Sequence, residues 1–376
     1  MGDIDRVGEL RKHRVTLITG DGIGPEVIGA AKGCVDAVAR KHDFHIVWDE
    51  MPAGEKAQRE FGSSLPEETL ESIRKNKVAL KGPVTTPIGN GFRSVNAELR
   101  RRLDLFANLR PMRLFPGVNS RYQRVDLVVI RENTEDFYPG IEFNRGTREA
   151  RELIAFVKSK THDRIRCDSA ISLRQLSYHA SKRIMEFAFE YAKNGGRKKI
   201  TVVHKANILK FTDGLFLRAG QSIAKKFGPI QFEDRIIDNM CMQLVVKPEL
   251  YDVIVCPNLY GDILSDLCAG LVGGLGITPG ANIGPAYAVF EPAHGSALKY
   301  TGKDMANPTA AILSTAMMLD HIGQHRAAKE LELAVLDVIK EGKTLTFDLK
   351  PADPAKTSEM TEEIINKIGK NVAGST

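Results

Sequence analysis

The sequence lacks several features that define whole classes of proteins. Its 376 residues include five cysteines, an odd number with no C-x-x-C pair, which argues against a disulfide framework or a zinc site. The longest strongly apolar stretch, at residues 310–319, contains Ser314 and Thr315 and is far shorter than the roughly 20 residues of a membrane helix. The first 14 residues are charged and contain no apolar segment, so a secretory signal is not expected. We therefore expect reduced, mostly buried cysteines, no membrane span and a cytoplasmic location.

A large excess of charge is also missing. The chain carries 53 Lys and Arg against 47 Asp and Glu, a net charge of +6, and 43% of its residues are hydrophobic. This composition excludes a disordered chain, a collagen and a coiled coil. The length predicts a globular protein of two or three domains.

Charge is unevenly distributed along the chain. Residues 81–131 contain ten basic side chains, mostly arginines, and three acidic ones, whereas residues 233–266 contain seven acidic and two basic ones. Arginine binds carboxylates and phosphates through two parallel hydrogen bonds. Because no helix-turn-helix, zinc-finger or aromatic-interleaved pattern accompanies the basic segment, we do not expect nucleic acid as a partner. The two segments together predict a site for a small polyanion and a metal ion.

Apolar periodicity predicts alternating strands and helices, and hence an α/β fold with a mostly parallel sheet. The predicted strands are residues 15–19, 44–48, 78–80, 127–131, 199–203 and 251–256. One helix is predicted to follow the first strand and to end at residue 40, and six more are predicted at residues 65–76, 176–194, 215–227, 262–272, 308–322 and 327–341. The first strand is followed by Gly20, Gly22 and Gly24. This turn is a weak dinucleotide signal, since Val27 occupies the position of the third glycine of G-x-G-x-x-G, and a simple tight turn explains it equally well.

Two local patterns point to ligand chemistry. Ser94 lies at the start of a helix, where free backbone amides favour an anion, and nearby arginines could bind the carboxylates of a small ligand. Asp262 and Asp266 are one helical turn apart, an arrangement that suits Mg²⁺ or Mn²⁺ bound by oxygen ligands. A capped surface helix and a solvated acidic face remain the respective alternatives.

A set of motifs spread from about residue 15 to residue 367 resembles the β-decarboxylating dehydrogenases, the group of isocitrate, 3-isopropylmalate, homoisocitrate and tartrate dehydrogenases. The motifs are GDGIGPE at 20–26, RENTED at 131–136, YxGIE at 138–142, HKANI at 204–208, PNLYGDILSD at 257–266, GGLG at 273–276 and EPxHGSA at 291–297. The resemblance implies the fold of this family, which is not the Rossmann fold. It implies a large domain (1–105 and 273–376), a small domain (106–135 and 178–272) and a dimer-forming clasp (136–177).

The resemblance also implies the substrate site. Ser94 and Asn96 are similar to the residues that isocitrate dehydrogenases use for the γ-carboxylate, and Arg100, Arg110 and Arg131 would bind the other two carboxylates. Asp238, Asp262 and Asp266 would hold Mg²⁺ or Mn²⁺. Lys205, acting with Asp262, would accept the hydroxyl proton, and Tyr138 would protonate the enolate. Lys205 and Asp238 are expected from a neighbouring subunit, which implies at least a homodimer.

The cofactor implied by the resemblance is NADP or NAD. Lys299 and Tyr300 stand where the family uses Lys-Tyr for the 2′-phosphate of NADP, whereas Ala306, Phe347, Pro351 and Leu298 depart from the NADP pattern. The resemblance assigns to cofactor binding Ile23, Lys81, Thr85, Thr86, Asn96, Asn207, Glu291, His294, Gly295, Ser296, Ala297, Lys299, Tyr300, Asn307 and Asp348.

Two alternatives to an isocitrate dehydrogenase remain at this stage. A homoisocitrate or isopropylmalate dehydrogenase would share the motifs and differ around Ser94. A non-catalytic regulatory subunit would belong to another functional class, although every candidate catalytic residue is present here.

Overall fold

The computed structural model describes residues 11–87 and 94–368 of the chain. Its strands are β1 (Arg11–Ile18), β2 (Phe44–Glu50), β3 (Val78–Lys81), β4 (Ala107–Arg113), β5 (Asp126–Glu132), β6 (Glu142–Phe143), β7 (Ile171–Ser172), β8 (Lys199–His204), β9 (Gln231–Ile236), β10 (Val253–Cys256), β11 (Pro279–Ile283) and β12 (Ala288–Pro292). Its α-helices are α1 (Gly24–Lys41), α2 (Glu55–Phe61), α3 (Glu67–Asn76), α4 (Val95–Arg102), α5 (Arg148–Lys160), α6 (Tyr178–Asn194), α7 (Thr212–Ala224), α8 (Ile237–Val246), α9 (Asn258–Val272), α10 (Thr309–His321), α11 (His325–Glu341) and α12 (Thr357–Lys367).

One ten-stranded sheet, ordered β2-β1-β3-β12-β11-β4-β5-β10-β8-β9, organises the molecule. Neighbouring strands are parallel except at the centre, where β11 pairs antiparallel with β12 and β4, and β4 pairs antiparallel with β5. The short strands β6 and β7 form a separate antiparallel pair. The predicted α/β fold is confirmed. Its antiparallel centre distinguishes it from the Rossmann sheet, whose strands run parallel in the order 3-2-1-4-5-6.

Each half of the sheet is formed by strands from one of the two predicted domains. The five strands from β2 to β11 come from residues 11–81 and 279–292, and the five from β4 to β9 come from residues 107–132 and 199–256. The segment predicted as a clasp contains β6, α5 and β7. The division into a large domain, a small domain and a clasp stays a prediction.

Alternation along the strands divides the sheet into two unlike faces, because successive side chains of a strand point to opposite sides. On one face Leu17, Leu80, Phe290 and Ile130 pack with α1, α6, α10 and α11 in the main core. On the other face smaller apolar clusters pack beneath α3 and α4 and beneath α8 and α9. By the same alternation Arg110, Arg131 and Glu291 lie on this second face, together with Met112, Val129 and Val289.

The most apolar segment of the sequence is a core helix. Most of α10 is buried, including Ser314 and Thr315, whose hydroxyls donate to the carbonyl oxygens of Ala310 and Ala311 at 2.7 and 2.8 Å. A helix that is apolar all round is expected in a core. None of the helices in the described part of the chain is long and apolar enough to cross a membrane.

The cysteines are free thiols, as predicted. Cys34, Cys256 and Cys268 are buried, Cys241 is half-buried and Cys167 is exposed. Burial raises the pKa of Cys34 to about 12, so this thiol is protonated at neutral pH.

Two predicted helices begin earlier than their apolar patterns suggested. α7 starts at Thr212 rather than at residue 215, and the carboxylate of Asp213 in its first turn accepts a hydrogen bond from the backbone amide of Lys205 at 2.6 Å. α9 starts at Asn258 rather than at residue 262, directly after Pro257. Asp262 therefore lies in the second turn of its helix. Long-range pairing formed β4, β9, β11 and β12, which the local patterns did not predict.

Candidate active site

Three buried arginines meet on the second face of the sheet. Arg110 comes from β4, Arg131 from β5 and Arg100 from α4, and their exposures are 7%, 1% and 7%. Burial and the charge of Arg100 lower the pKa of Arg110, and the same two causes lower the pKa of Arg131 to about 10. The guanidinium groups repel one another, and an anion with several carboxylates would offset this repulsion. The cluster is therefore a candidate binding site for such an anion.

Helix α9 provides the partners of Arg131. The side chain donates to Oδ1 of Asn258 at 2.8 Å and forms an ion pair with Asp262. A Cβ atom on Gly261 would lie 2.6 Å from the side chain of Arg131, so only glycine lets the helix approach the strand this closely. Nη2 of Arg131 is buried without a hydrogen-bond partner, as expected of a group that binds a ligand.

Arg110 contacts the next turn of the same helix. It donates to Oγ of Ser265 at 2.6 Å and lies 3.4 Å from Oδ1 of Asp266. Burial raises the pKa of Asp266. At Asp262 burial acts in the same direction, but Arg131 and the hydroxyl of Tyr138 outweigh it, and the pKa is lowered.

Tyr138 lies against the Asp262–Arg131 pair. Its hydroxyl donates to Oδ2 of Asp262 at 2.5 Å, and its ring centroid is 4.8 Å from the guanidinium carbon of Arg131. Burial raises the pKa of Tyr138 to about 12, with Asp262 adding to the effect and Arg131 opposing it. The phenol is therefore protonated at neutral pH and can act as a proton donor.

The beginning of α4 carries Ser94 and Asn96. Ser94 is the N-cap, and its Oγ accepts a hydrogen bond from the amide of Ala97 at 3.3 Å. Oδ1 of Asn96 is buried without a partner. Because Arg100 follows Asn96 by one helical turn, both side chains lie on the same side of α4.

Lys205 and Asp238 form a separate pair. Lys205 follows β8, Asp238 lies in the first turn of α8, and their side chains form an ion pair with each other. Asn207 occupies the same exposed turn as Lys205. In the parts of the chain that the structure covers, neither Lys205 nor Asp238 contacts Asp262, and no three acidic, histidine or cysteine side chains assemble into a metal site.

The glycine turn after β1 packs between two loops that are predicted to bind the cofactor. A Cβ atom on Gly22, whose φ is +60°, would lie 2.0 Å from the carbonyl oxygen of Ser296. The amide of Ile23 donates to that same oxygen at 2.9 Å, and the hydroxyl of Thr85 donates to Oγ of Ser296 at 2.8 Å. Gly20 and Gly22 have positive φ, as the tight-turn interpretation predicts, whereas Gly24 is the first residue of α1. The turn also brings Ile23, Thr85 and Ser296 together.

A buried ion pair lies next to these loops. Lys81, which is 1% exposed, places its ammonium 2.6 Å from Oε2 of Glu291, which is 6% exposed. Lys81 and Arg100 outweigh the effect of burial and hold the pKa of Glu291 far below its usual range. Burial lowers the pKa of His294, and its Nε2 is buried without a partner. Nε2 is therefore available to a ligand.

The residues predicted to select the cofactor lie on a short 3-10 turn at Leu298–Tyr300. The ammonium of Lys299 lies 4.7 Å from the ring centroid of Tyr300, and that ring packs on Phe347 at 5.1 Å. Asn307 donates to Oδ2 of Asp348 at 2.9 Å. Thr86, Gly295 and Ala297 lie exposed on the neighbouring loops.

The site suits the groups that the resemblance implies. Asp262 and Asp266 offer carboxylate oxygens, the ligands that Mg²⁺ and Mn²⁺ prefer. The buried, unpartnered Nε2 of His294 and the loop around Ser296 suit a polar cofactor. Within one chain, however, only two of the three predicted metal ligands are close to the arginines.

Sequence reasoning missed two residues that hold the arginines in place, Asn258 and Ser265. Both lie inside the quoted PNLYGDILSD motif, and both are buried. Both could have been predicted from their positions on the buried side of an amphipathic helix, because a buried polar side chain requires a hydrogen-bond partner.

Comparisons with known proteins identify the family. Residues 14–364 match the family described as isocitrate/isopropylmalate dehydrogenase. The chain is 46% identical to a probable mitochondrial isocitrate dehydrogenase (NAD) subunit alpha of Drosophila melanogaster, over 94% of this chain and 87% of that protein. It is 44% identical to the isocitrate dehydrogenase (NADP) of Archaeoglobus fulgidus, over 94% and 92%. The crystal structure of isocitrate dehydrogenase from Methylococcus capsulatus is similar with a TM-score of 0.87 at 47% identity, covering 95% of this chain and 99% of that one.

Proposed function

Because the chain belongs to the isocitrate/isopropylmalate dehydrogenase family, we propose that it oxidatively decarboxylates isocitrate to 2-oxoglutarate and CO₂ with reduction of NADP or NAD. The observation that carries the proposal is the group of buried guanidinium groups of Arg100, Arg110 and Arg131 beside the acidic face of α9. These three guanidinium groups are proposed to bind two carboxylates of the substrate, which isocitrate and isopropylmalate share, so the choice between these substrates depends on the start of α4.

The polar start of α4 supports isocitrate over isopropylmalate. The hydroxyl of Ser94 and the amide N–H groups of Asn96, both of which can donate to a carboxylate, lie where the family resemblance places the substituent that distinguishes the substrates. An isopropyl group there would offer these donors no acceptor. Each donor left unpaired costs roughly 1 to 3 kcal/mol.

The proposed chemistry uses three side chains. Lys205, acting with Asp262, accepts the proton of the substrate hydroxyl as the hydride leaves for the nicotinamide. Tyr138, protonated at neutral pH and adjacent to Asp262, then donates a proton to the carbon that has lost CO₂. Asp262, Asp266 and Asp238 would hold a divalent ion, which would supply Lewis acidity to the reaction.

We propose a homodimer in which Lys205 and Asp238 complete the site of the other subunit. Exposed apolar side chains follow both partners closely in sequence, namely Ile208 and Phe211 after Lys205, and Met242 and Val246 on α8 after Asp238; Phe211 is 91% exposed. Apolar surface of this kind is typical of an interface between proteins. The same arrangement explains why Lys205 lies apart from Asp262 within one chain. The expected cytoplasmic location stays a prediction, since the Drosophila relative is described as mitochondrial.

The direct test is turnover by the purified chain alone. We expect formation of the reduced cofactor, measured by absorbance at 340 nm, with isocitrate and Mg²⁺ or Mn²⁺, and at least about tenfold lower kcat/KM with isopropylmalate or homoisocitrate. EDTA should stop the reaction, and added Mn²⁺ should restore it.

The same assay tests the proposed substrate and the proposed catalytic role separately. Faster turnover of isopropylmalate or homoisocitrate would assign a different substrate. A folded, inactive chain that regains activity only with a second kind of subunit would identify a regulatory subunit.

A complementation experiment tests the shared sites. Tyr138→Phe and Lys205→Ala are each expected to inactivate the homodimer, whereas their coexpression should restore about one quarter of wild-type activity. Random pairing makes half of the dimers mixed, and each mixed dimer has one intact site and one doubly altered site. Each variant expressed alone is the control. If Tyr138 and Lys205 act within one subunit, coexpression will restore no activity.

A further inference from the structure

Asn282 occupies the centre of a buried polar network that no catalytic step uses. It lies on β11, is 0% exposed, and pairs in register with Asn108 of the antiparallel neighbour β4. Strand alternation places both side chains on the face that carries Arg110 and Glu291. A polar residue in the middle of a sheet is stable only when its hydrogen-bonding groups are paired.

The amide oxygen of Asn282 accepts three hydrogen bonds. The donors are Nε of Arg100 at 3.0 Å, Nδ2 of Asn108 at 2.9 Å and Nδ2 of Asn133 at 2.9 Å. The amide nitrogen donates to Oε1 of Glu291 at 2.7 Å. Because three donors face the oxygen and a carboxylate faces the nitrogen, only one orientation of this amide satisfies its neighbours.

This arrangement fixes the guanidinium of Arg100 at two points. Nε is bound by Asn282, Nη2 lies 3.1 Å from Oε1 of Glu291, and the two acceptors are bonded to each other. Glu291 is itself bound by the buried ammonium of Lys81. A guanidinium has five N–H groups, so two are used for orientation and the others remain for a ligand.

We propose that Asn282 is a positioning residue for the substrate, acting through Arg100. It does not touch the substrate in this proposal, which rests on the proposed function of Arg100 as a carboxylate-binding residue. Asn108 and Asn133 hold the amide of Asn282, and Asn282 with Glu291 holds the plane of the guanidinium. The network also joins Arg100 to Lys81 beside the predicted cofactor loops.

The primary test is the effect of Asn282→Ala on the kinetics of the full-length enzyme. We expect KM for isocitrate to rise about tenfold or more, because a hydrogen bond to a charged group is lost. The value of kcat should change by less than about threefold, because Arg100 binds the substrate equally in the ground and transition states. Asn282→Ser, a smaller perturbation, should raise KM in the same direction and serves if the alanine variant does not fold.

Ser314→Ala is the matched control. Ser314 is also 0% exposed and accepts a hydrogen bond from the amide of Gly280 on β11 at 3.3 Å, but it has no contact with Arg100. This variant should lower the melting temperature without changing KM. An Asn282→Ala variant that behaves in the same way has only a structural role, and the inference is then wrong.

A double-mutant cycle tests whether the effect passes through Arg100. Arg100→Lys lacks the Nε–H donor, so adding Asn282→Ala to it should change KM by less than about threefold, against about tenfold in the wild-type background. Equal changes in both backgrounds would overturn the proposal.

A crystal structure of Asn282→Ala gives a readout that does not depend on the substrate. We expect the guanidinium of Arg100 to leave its position beside Glu291, and an unchanged position would contradict the inference. Wild-type inactivity with isocitrate would instead disprove the proposed function, while the position of Arg100 would still decide the role of Asn282.

Discussion

Replacing Ser94 with glutamate is expected to lower kcat/KM for isocitrate by about a thousandfold. Two like charges about 4 Å apart interact unfavourably by roughly 4 kcal/mol at an effective dielectric constant near 20, and each 1.4 kcal/mol is a factor of ten. The substituted carboxylate would lie at the start of α4, on the turn that carries Asn96. It would therefore meet the substrate carboxylate that the polar start of this helix is proposed to bind.

The fold should survive this change. Ser94→Glu removes an N-cap hydrogen bond worth about 1 kcal/mol, and a negative charge at a helix N-terminus returns about 0.3 to 1 kcal/mol. Ser94→Gln has a similar size without the charge and is the matched control, with an expected loss of about tenfold. Steady-state kinetics and thermal unfolding of the three proteins decide the outcome. Retention of more than about a tenth of wild-type kcat/KM by Ser94→Glu would exclude Ser94 from the substrate pocket.

The second large effect concerns cofactor choice, for which we propose NADP. Lys299 and Tyr300 can donate hydrogen bonds to a 2′-phosphate that NAD lacks, and a single charge-assisted bond of this kind, the value used here, contributes about 1.5 to 3 kcal/mol. We therefore expect the wild type to prefer NADP by roughly 10- to 150-fold, and closer to the lower value because Phe347 beside Tyr300 has no hydroxyl. The combined change Lys299→Asp and Tyr300→Ile should reverse this preference, because the new carboxylate accepts from the ribose hydroxyls of NAD and repels a phosphate.

The measurement is kcat/KM with NAD and with NADP for the wild type and the double variant. The variant Phe347→Tyr is measured alongside them, because it adds a hydroxyl next to Tyr300 and should strengthen the preference for NADP. A wild type that already favours NAD would show that Ala306 and the Phe347 region outweigh the Lys299–Tyr300 pair.

Most of the site residues could be predicted from the sequence, because they are charged or polar residues that lie within short motifs. Arg100, Arg110 and Arg131 stood out as arginines in a basic segment, and the structure brings them together. Asp262 and Asp266 were recognisable from their spacing on one helix. The predicted start of that helix was wrong by one turn. Apolar periodicity does not locate the beginning of a helix whose first residues are polar and buried, as Asn258 is.

The separation of Lys205 from Asp262 illustrates the opposite case. Both residues lie in recognisable motifs, and local sequence gives no distance between them. In the structure Lys205 pairs with Asp238, while Asp262 pairs with Arg131 and Tyr138. The family resemblance implied that Lys205 comes from a neighbouring subunit, and the positions of α8 and α9 around the sheet show that one chain does not bring the two residues into contact.

The sequence by itself determined the family, the α/β class and the identities of the charged groups, because motifs and periodicity are local properties of the chain. Tertiary structure alone decided the antiparallel centre of the sheet and the contacts of Asn282. Arg100 and Asn282 are 182 residues apart in sequence, and their hydrogen bond forms because Asn282 on β11, in register with Asn108 of β4, lies on the face of the sheet against which α4 packs. Strand order and register arise from packing of the whole chain, so no local pattern specifies them.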